Sequence, residues 1–446
     1  MRRTAARAAL LVLAAGSLAA TPPGAATVER GPSPTGCEPP AAGADFEVVD
    51  PDEVALDGAR LQQALDHANE TGAISVRVHR HGCLAATGQL DEVTGTMPNN
   101  AFSATKGVVA MLAGRAQALG HLSVQDRVGD HVPSATGAHA DLRVHDLLTM
   151  TAGLRFSWPA DVNPAGPDSV RQVLALPFEH EPGTFYEYAQ TTVTLLGHVV
   201  ERAVGQELQE FAQQELFGPA GIERDAWHWH RDRAGNTHGY AHLNMAPRDL
   251  ARLGHVMLHD GSWDGQRLLR PGFVRQASSP SRANGHYGYL LWINERDEGI
   301  SVNVPERTVV EGRLVESAPE DMYMFVGLGG QIIAVIPSLD MVVVRTGQEL
   351  GRDWMHEFFR LLMDAVEDVE FDDPGPGETN GFGGFDEQYW LDVEGLVAGT
   401  GIGPDRPAGC TPLGCDGGIA YEGYVTSVED AAVSGGHVLG SRLPGP

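Results

Sequence analysis

"MYMFVGLGGQIIAVIPSLDMVVVRTG", residues 322–347, holds apolar runs broken at a glycine-rich step and again at Pro337–Asp340. Each run is short and rich in β-branched or aromatic residues, so 322–327 and the two halves of 331–347 read as strands, the last two joined by a turn at Pro337–Asp340. Immediately after, "DWMHEFFRLLMDAVEDV" (353–369) has apolar residues at helical spacing and closes the unit as an amphipathic helix. Far upstream the same signals return in mirror order. "DGARLQQALDHANETG" (57–72) is a helix with Asp57 as N-cap and Leu61, Ala64, Leu65 and Ala68 on one face. "AISVRVHRHGCLAATG" (73–88) alternates Ile74, Val76, Val78, breaks at Gly82, and reads as a hairpin. Between them, from about 101 to 260, helical patterns dominate. Strands at both ends with helices inserted between them predict an α+β fold: one antiparallel sheet, completed by the C-terminal strands, flanked by helices and carrying a largely helical inserted subdomain.

The ends of the chain differ from this middle. Arg2, Arg3 and Arg7 precede "AALLVLAAGSLAA" (8–20), an apolar run shorter than the ~18 residues a bilayer span needs, so residues 1–27 read as an export signal. Residues 28–50 are rich in Pro, Gly and Ala and read as a leader or linker. Residues 51–371 form the expected domain. Residues 372–446 carry twelve acids against two arginines and many glycines, an acidic extension whose function the sequence does not disclose. The four cysteines, Cys37, Cys83, Cys410 and Cys415, are even in number, which in an exported chain favours disulfides. The pairing expected is Cys37–Cys83 and Cys410–Cys415. No integral membrane segment is expected once the signal is removed.

A net charge of −28 gives a surface that repels nucleic acid and anionic membrane; no nucleic-acid partner is expected, and a small-molecule substrate is. Nothing in the sequence sets an oligomeric state. The same composition makes one residue singular: Lys106, in "NNAFSATKGVVAMLAG" (99–114), is the only lysine among 446 residues, the other basic side chains being arginine. Val108, Leu112, Ala116 and Leu119 give a helical stripe beginning just after Ser103, with Asn99 or Asn100 as a cap. Ser103 and Lys106, three apart, therefore share a face. A serine hydroxyl becomes a nucleophile when a neighbouring base takes its proton, and a lysine can be that base where an arginine, which stays charged, cannot. The helix start adds positive backbone dipole and offers the Ser103 N–H to an oxyanion.

A second stretch, "HEPGTFYEYAQTTVTLLGHVVE" (180–201), has a Pro-Gly turn, then Tyr188, then an apolar helix. With "FSATKG", "VHDLLTMTAGL" (144–154), "MAPRDLARLGHVMLHDGSWDGQRLL" (245–269) and "YGYLLWI" (287–293), it resembles the serine β-lactamase-related family. That group contains class C β-lactamases, DD-peptidases, family VIII-type esterases and 6-aminohexanoate-dimer hydrolases. The resemblance covers about residues 55–369 and implies a β-lactamase/transpeptidase-like fold. It implies Ser103 as the acylated nucleophile, Lys106 as its base, and Tyr188 as the hydroxyl that shares proton transfer and serves the leaving group. Where the family has asparagine two residues after this tyrosine, Gln190 stands here. The third family motif falls on "GLGGQIIAV", with Leu328, Gly329 and Gly330 as the triplet and the Gln331 N–H as second oxyanion donor. Leu328 replaces a cationic or polar residue that in the family helps hold a substrate carboxylate.

Other residues read as packing. Phe156 and Trp158 either line or underlie the acyl pocket; Tyr287, Tyr289 and Trp292 are core or pocket wall; His79 and His81 are strand-surface residues. His228 and His230 in "WHWH" lack a third ligand in view, so no metal is expected, and no cofactor. The resulting expectation is an exported serine hydrolase acting through a covalent acyl-enzyme on small esters or amides. A β-lactamase or peptidoglycan DD-peptidase, and a non-catalytic binding protein that keeps the fold, are its alternatives.

Overall fold

The structure is a computed structural model, and it describes residues 36–155, 168–296, 298–302, 309–348 and 354–377, with the backbone of 410–411 and 414–415. In chain order its main elements begin with helix α1 (Gly58–Glu70), strands β1 (Ala73–Arg80) and β2 (Cys83–Thr87), the short strand β3 (Asn99–Asn100) and helix α2 (Thr105–Ala118). Helix α3 (Gln190–Val204), strands β4 (Trp227–Trp229) and β5 (Leu243–Met245) and helix α4 (Pro247–Leu258) follow. The chain then returns to the sheet through β6 (Trp292–Ile293), β7 (Tyr323–Gly327), β8 (Gln331–Ile336) and β9 (Met341–Gly347), and ends on helix α5 (Trp354–Asp364).

The central sheet has the order β2-β1-β9-β8-β7-β6, so the N-terminal hairpin is completed by strands more than 200 residues downstream. Every pairing within it is antiparallel. The turn expected at Pro337–Asp340 is a 3-10 turn over Pro337–Leu339, with Asp340 in the left-handed region at its end. Register assigns the two faces. Val342 pairs with His79 and Val335, and Val344 pairs with Ile333. These residues share one face, because alternate side chains point oppositely. Helix α4 packs there, Gly254 lying so close to Val342 and Ile333 that a Cβ would collide. On the other face Arg345 lies 4.2 Å from the Trp354 ring of α5, which packs with α1. Asp57 caps α1 as expected, accepting from the N–H groups of Ala59 and Arg60, while its own N–H reaches the Ala365 carbonyl, tying the two ends of the unit together.

Residues 36–50, inside the stretch read as a leader, lie against this sheet. The Cys37–Cys83 disulfide, the one expected, anchors them to β2. Arg252 of α4 donates to the carbonyls of Ala41 and Ala44 at 2.8 and 2.6 Å, and Asp45 pairs with Arg77. Phe46 inserts between His79 and His255, with ring centroids 4.5 and 4.9 Å away. His79 is accordingly buried completely, not a surface residue as the strand pattern predicts. The correction has a physical cause: the alternation of β1 cannot show that a distant segment covers its second face. His81 sits at the hairpin turn, half-buried, against Asp340. Cys410 and Cys415 face each other across a two-residue ladder.

Candidate active site

Ser103 lies in a 3-10 turn, Phe102–Ala104, that leads directly into α2. Neither asparagine caps α2, whose N-cap is Ala104; the Asn100 side-chain oxygen instead accepts the Phe102 N–H at 2.8 Å, closing a turn just before Ser103. Phe102 itself has φ +44, a strained conformation for a residue with a Cβ, immediately before Ser103. Helix α2 is buried on all sides, every residue from Thr105 to Ala116 except Arg115 being inaccessible, because it runs between the sheet and α3.

Lys106 is 1 % exposed. Its Nζ donates to Ser103 Oγ at 2.8 Å and to the Tyr240 carbonyl at 2.9 Å, and lies 4.8 Å from the centroid of the Tyr188 ring. Ser103, Lys106 and Tyr188, separated by up to 85 positions in sequence, thus converge on one point. Tyr188 is held in an aromatic group: Tyr287 lies 6.1 Å and Trp292 5.9 Å from it, and Tyr287 touches Tyr186 and Trp292 at 5.2 and 4.9 Å. Burial, with Tyr188 and Tyr186 alongside, pushes the Tyr287 phenol well above its ordinary value, so it serves as a neutral wall.

The "VHDLLTMTAGL" stretch explains how Tyr188 is placed. The Glu187 N–H donates to the Met150 carbonyl at 2.9 Å and the Gly183 N–H to the Thr151 carbonyl at 2.8 Å. Gly153 approaches the His180 carbonyl so closely that any side chain there would collide. Residues 149–153 are therefore a clamp on the loop that carries the tyrosine. Gln190 opens α3 as its first residue and is buried.

The residues of the third motif lie on and after β7. The strand residue against the turn containing Ser103 is Gly327, where a Cβ would collide with the Ala101 carbonyl and lie 3.1 Å from the Ala104 nitrogen. Gly329 faces the Gly347 carbonyl, and Gly330 faces Arg345 and Trp354. Gln331 is the ladder partner of Gly327. Its side chain binds backbone, donating to the carbonyls of Leu328, Gly329 and Gly347 and accepting the Gly347 N–H. The amide thus ties the β7–β8 hairpin to the end of β9. Phe156 and Trp158 lie outside the described residues. Tyr287, Tyr289 and Trp292 are all core.

One partner escaped the sequence reading: the Tyr240 carbonyl that receives Lys106. It belongs to the segment before β5, which is tied to the turn containing Ser103, the Ala101 N–H donating to the Leu243 carbonyl and the Leu243 N–H to Thr105 Oγ1. A backbone acceptor has no sequence signature. Among the described residues no group of three or more His, Cys, Asp or Glu side chains is placed to hold a metal ion.

Comparison with known proteins bears on the fold and the family. A 6-aminohexanoate-dimer hydrolase of Paenarthrobacter ureafaciens is 25 % identical over 171 residues, 38 % of this chain and 41 % of that protein. The chain spans about half the length of the curated relatives it matches. A penicillin-binding protein homologue from Caulobacter crescentus superposes with a TM-score of 0.54 at 17 % identity, covering 72 % of this chain and 98 % of the other. A class C β-lactamase complexed with cefoxitin superposes with a TM-score of 0.52, also at 17 % identity, over 69 % of this chain and 99 % of that one. The family described as Beta-lactamase matches residues 61–357, about two thirds of the chain. The protein therefore belongs to the β-lactamase family, whose members are serine hydrolases.

Proposed function

We propose that this protein is an exported serine hydrolase that cleaves small neutral esters or amides through a covalent acyl-enzyme. The observation that carries the reading is the 2.8 Å hydrogen bond between a buried lysine amine and Ser103 Oγ at the start of a helix. As the Oγ–carbon bond forms, the Ser103 proton passes to Lys106, and Tyr188 delivers a proton to the departing alkoxide or amine. Water then attacks the acyl carbon and regenerates the serine. The Ser103 N–H supplies one oxyanion donor; the approach of Gly327 to the same turn supports the adjoining backbone of β7, at Gly327–Leu328, as the source of the second. The apolar run at 8–20 and the Cys37–Cys83 bridge support export. No helix among the described residues is long and apolar enough to cross a membrane.

Substrate charge follows from Leu328 and from the net charge of −28. A β-lactam or a D-Ala-D-Ala peptide carries a carboxylate beside the scissile bond, and burying it without a cation or donor costs several kcal/mol. A neutral ester pays no such penalty. The expected result is a higher kcat/KM for p-nitrophenyl butyrate than for nitrocefin or a D-Ala-D-Ala peptide, with Ser103→Ala inactive toward all three. The opposite ranking would assign a β-lactamase or DD-peptidase, and failure of a fluorophosphonate to label Ser103 would leave a binding protein on the same fold.

A further inference from the structure

Two imidazoles beside the site have no part in the mechanism above. His238 Nδ1 and His242 Nδ1 lie 3.0 Å apart. At that distance one ring presents Nδ1–H and the other a bare Nδ1, an arrangement that two neutral rings satisfy. Burial keeps them so: it is the first cause lowering His238 to about 4 and His242 to about 3. Asp232 opposes the shift at His238 while His230 adds to it; at His242 the neighbours His238, His230 and Lys106 all add to it. Tyr240 lies between them in sequence, its own ring 5.5 and 5.6 Å from theirs, and the Tyr188 ring centroid lies 4.8 Å from Lys106 Nζ.

The rings close a tight turn. The Ala241 N–H reaches the His238 carbonyl, and the Trp229 indole N–H donates to the carbonyls of both His238 and Ala241, at 2.8 and 3.1 Å. His242 has φ +66, a conformation a residue with a side chain holds only under constraint. At the apex of this turn is the Tyr240 carbonyl that accepts from Lys106 at 2.9 Å.

We propose that His238 and His242 are positioning residues for the Ser103–Lys106 pair: their N–H···N bond holds the 238–242 turn closed, and the closed turn fixes the Tyr240 carbonyl that aims the lysine amine at Ser103 Oγ. The inference rests on Lys106 acting as the base. An acceptor on an amine favours its ammonium form, so opening the turn both misaims Lys106 and makes it easier to deprotonate.

Because the chain has one lysine, a protein labelled with ε-13C-lysine gives a single side-chain resonance whose titration reads Lys106 without any substrate. In His242→Ala this titration moves to lower pH, and fluorophosphonate labelling of Ser103 slows about tenfold or more. His242→Asn restores both, since asparagine places an amide near the Nδ1 position and tolerates a left-handed backbone. A lysine titration unchanged in His242→Ala overturns the inference. A titration that moves in a protein whose Ser103 is never labelled would sink the hydrolase reading while upholding the hold on Lys106. Should His242→Ala fail to fold, the 15N-histidine spectrum of the unaltered protein decides. One ring protonated at Nδ1 and one at Nε2, both neutral at pH 5, supports the pair, and two rings titrating near pH 6.5 refute it.

Discussion

In the proposed mechanism Lys106 performs two tasks that an arginine could not combine. Its compact amine fits between Ser103 Oγ and the Tyr240 carbonyl, at 2.8 and 2.9 Å, and it can release a proton. Replacing it with arginine keeps the charge and removes the base, so Lys106→Arg should lose at least ~100-fold in kcat. Lys106→Met, of similar length and without ionisable protons, should lose as much, which separates the chemical loss from any crowding by the larger guanidinium. Wild-type turnover by either would place the base elsewhere. Tyr188→Phe keeps the ring packed on Tyr287 and Trp292 but loses the hydroxyl; its loss should be larger for amides than for p-nitrophenyl esters, whose leaving group departs without a proton. Equal losses on both would remove Tyr188 from leaving-group protonation. These three residues were legible in the sequence because a lone lysine, a serine three residues before it and a tyrosine after Pro-Gly are side-chain identities. The Tyr240 carbonyl was not, since every residue has one.

At the scale of elements, the contact that sets the site is α2 against β7. Gly107 of α2 lies on the Phe325 ring, and Gly327 lies on the turn containing Ser103, each so close that a Cβ would collide. Gly107→Ala should therefore push α2 away from the sheet and cost about 1–3 kcal/mol of stability, readable as a lowered urea midpoint. Gly327→Ala strikes the nucleophile turn itself, so it should lower kcat even in molecules that remain folded. An unchanged kcat with normal stability would mean that the strand does not bear on the oxyanion. The strands themselves were legible because their apolar runs are bounded by glycine and proline. The approach of Gly327 to the turn containing Ser103 was not: the glycine-rich step holds three glycines, and only the folded chain sets Gly327, against Ala101 and Ala104, apart from Gly329, which faces the Gly347 carbonyl, and Gly330, which faces Arg345.

Across the whole molecule, residues 36–50 seal a face of the sheet and bury two histidines that charge only at a cost. Neither ring nitrogen of His79, and not Nε2 of His255, has a hydrogen-bond partner among the described residues. Burial is the leading cause in both, holding His79 well below its ordinary value and His255 at about 3, with His259 and Arg252 adding to the latter. The sign follows from the unfolded chain, where these rings titrate near 6.5. Above that pH neither state binds the proton and nothing is lost. As pH falls from about 6.5 toward 3, the unfolded chain takes up protons that the fold refuses, and stability drops. For His255 the loss at pH 5 is about 2 kcal/mol. Asp91 and Asp249 work in the opposite direction, because burial raises both and acidification relieves them, and lowering the net negative charge also relaxes self-repulsion. The total pH dependence is therefore a balance, and one ring has to be isolated from it. His255→Phe keeps an aromatic ring stacked on Phe46 while deleting the proton site. Urea unfolding at pH 7.5 and pH 5.0 should show the original protein losing about 2 kcal/mol more than the variant between the two conditions. Parallel losses in the two proteins would mean that water or an unseen partner already satisfies the ring, and that the seal formed by residues 36–50 opens before the histidine is charged.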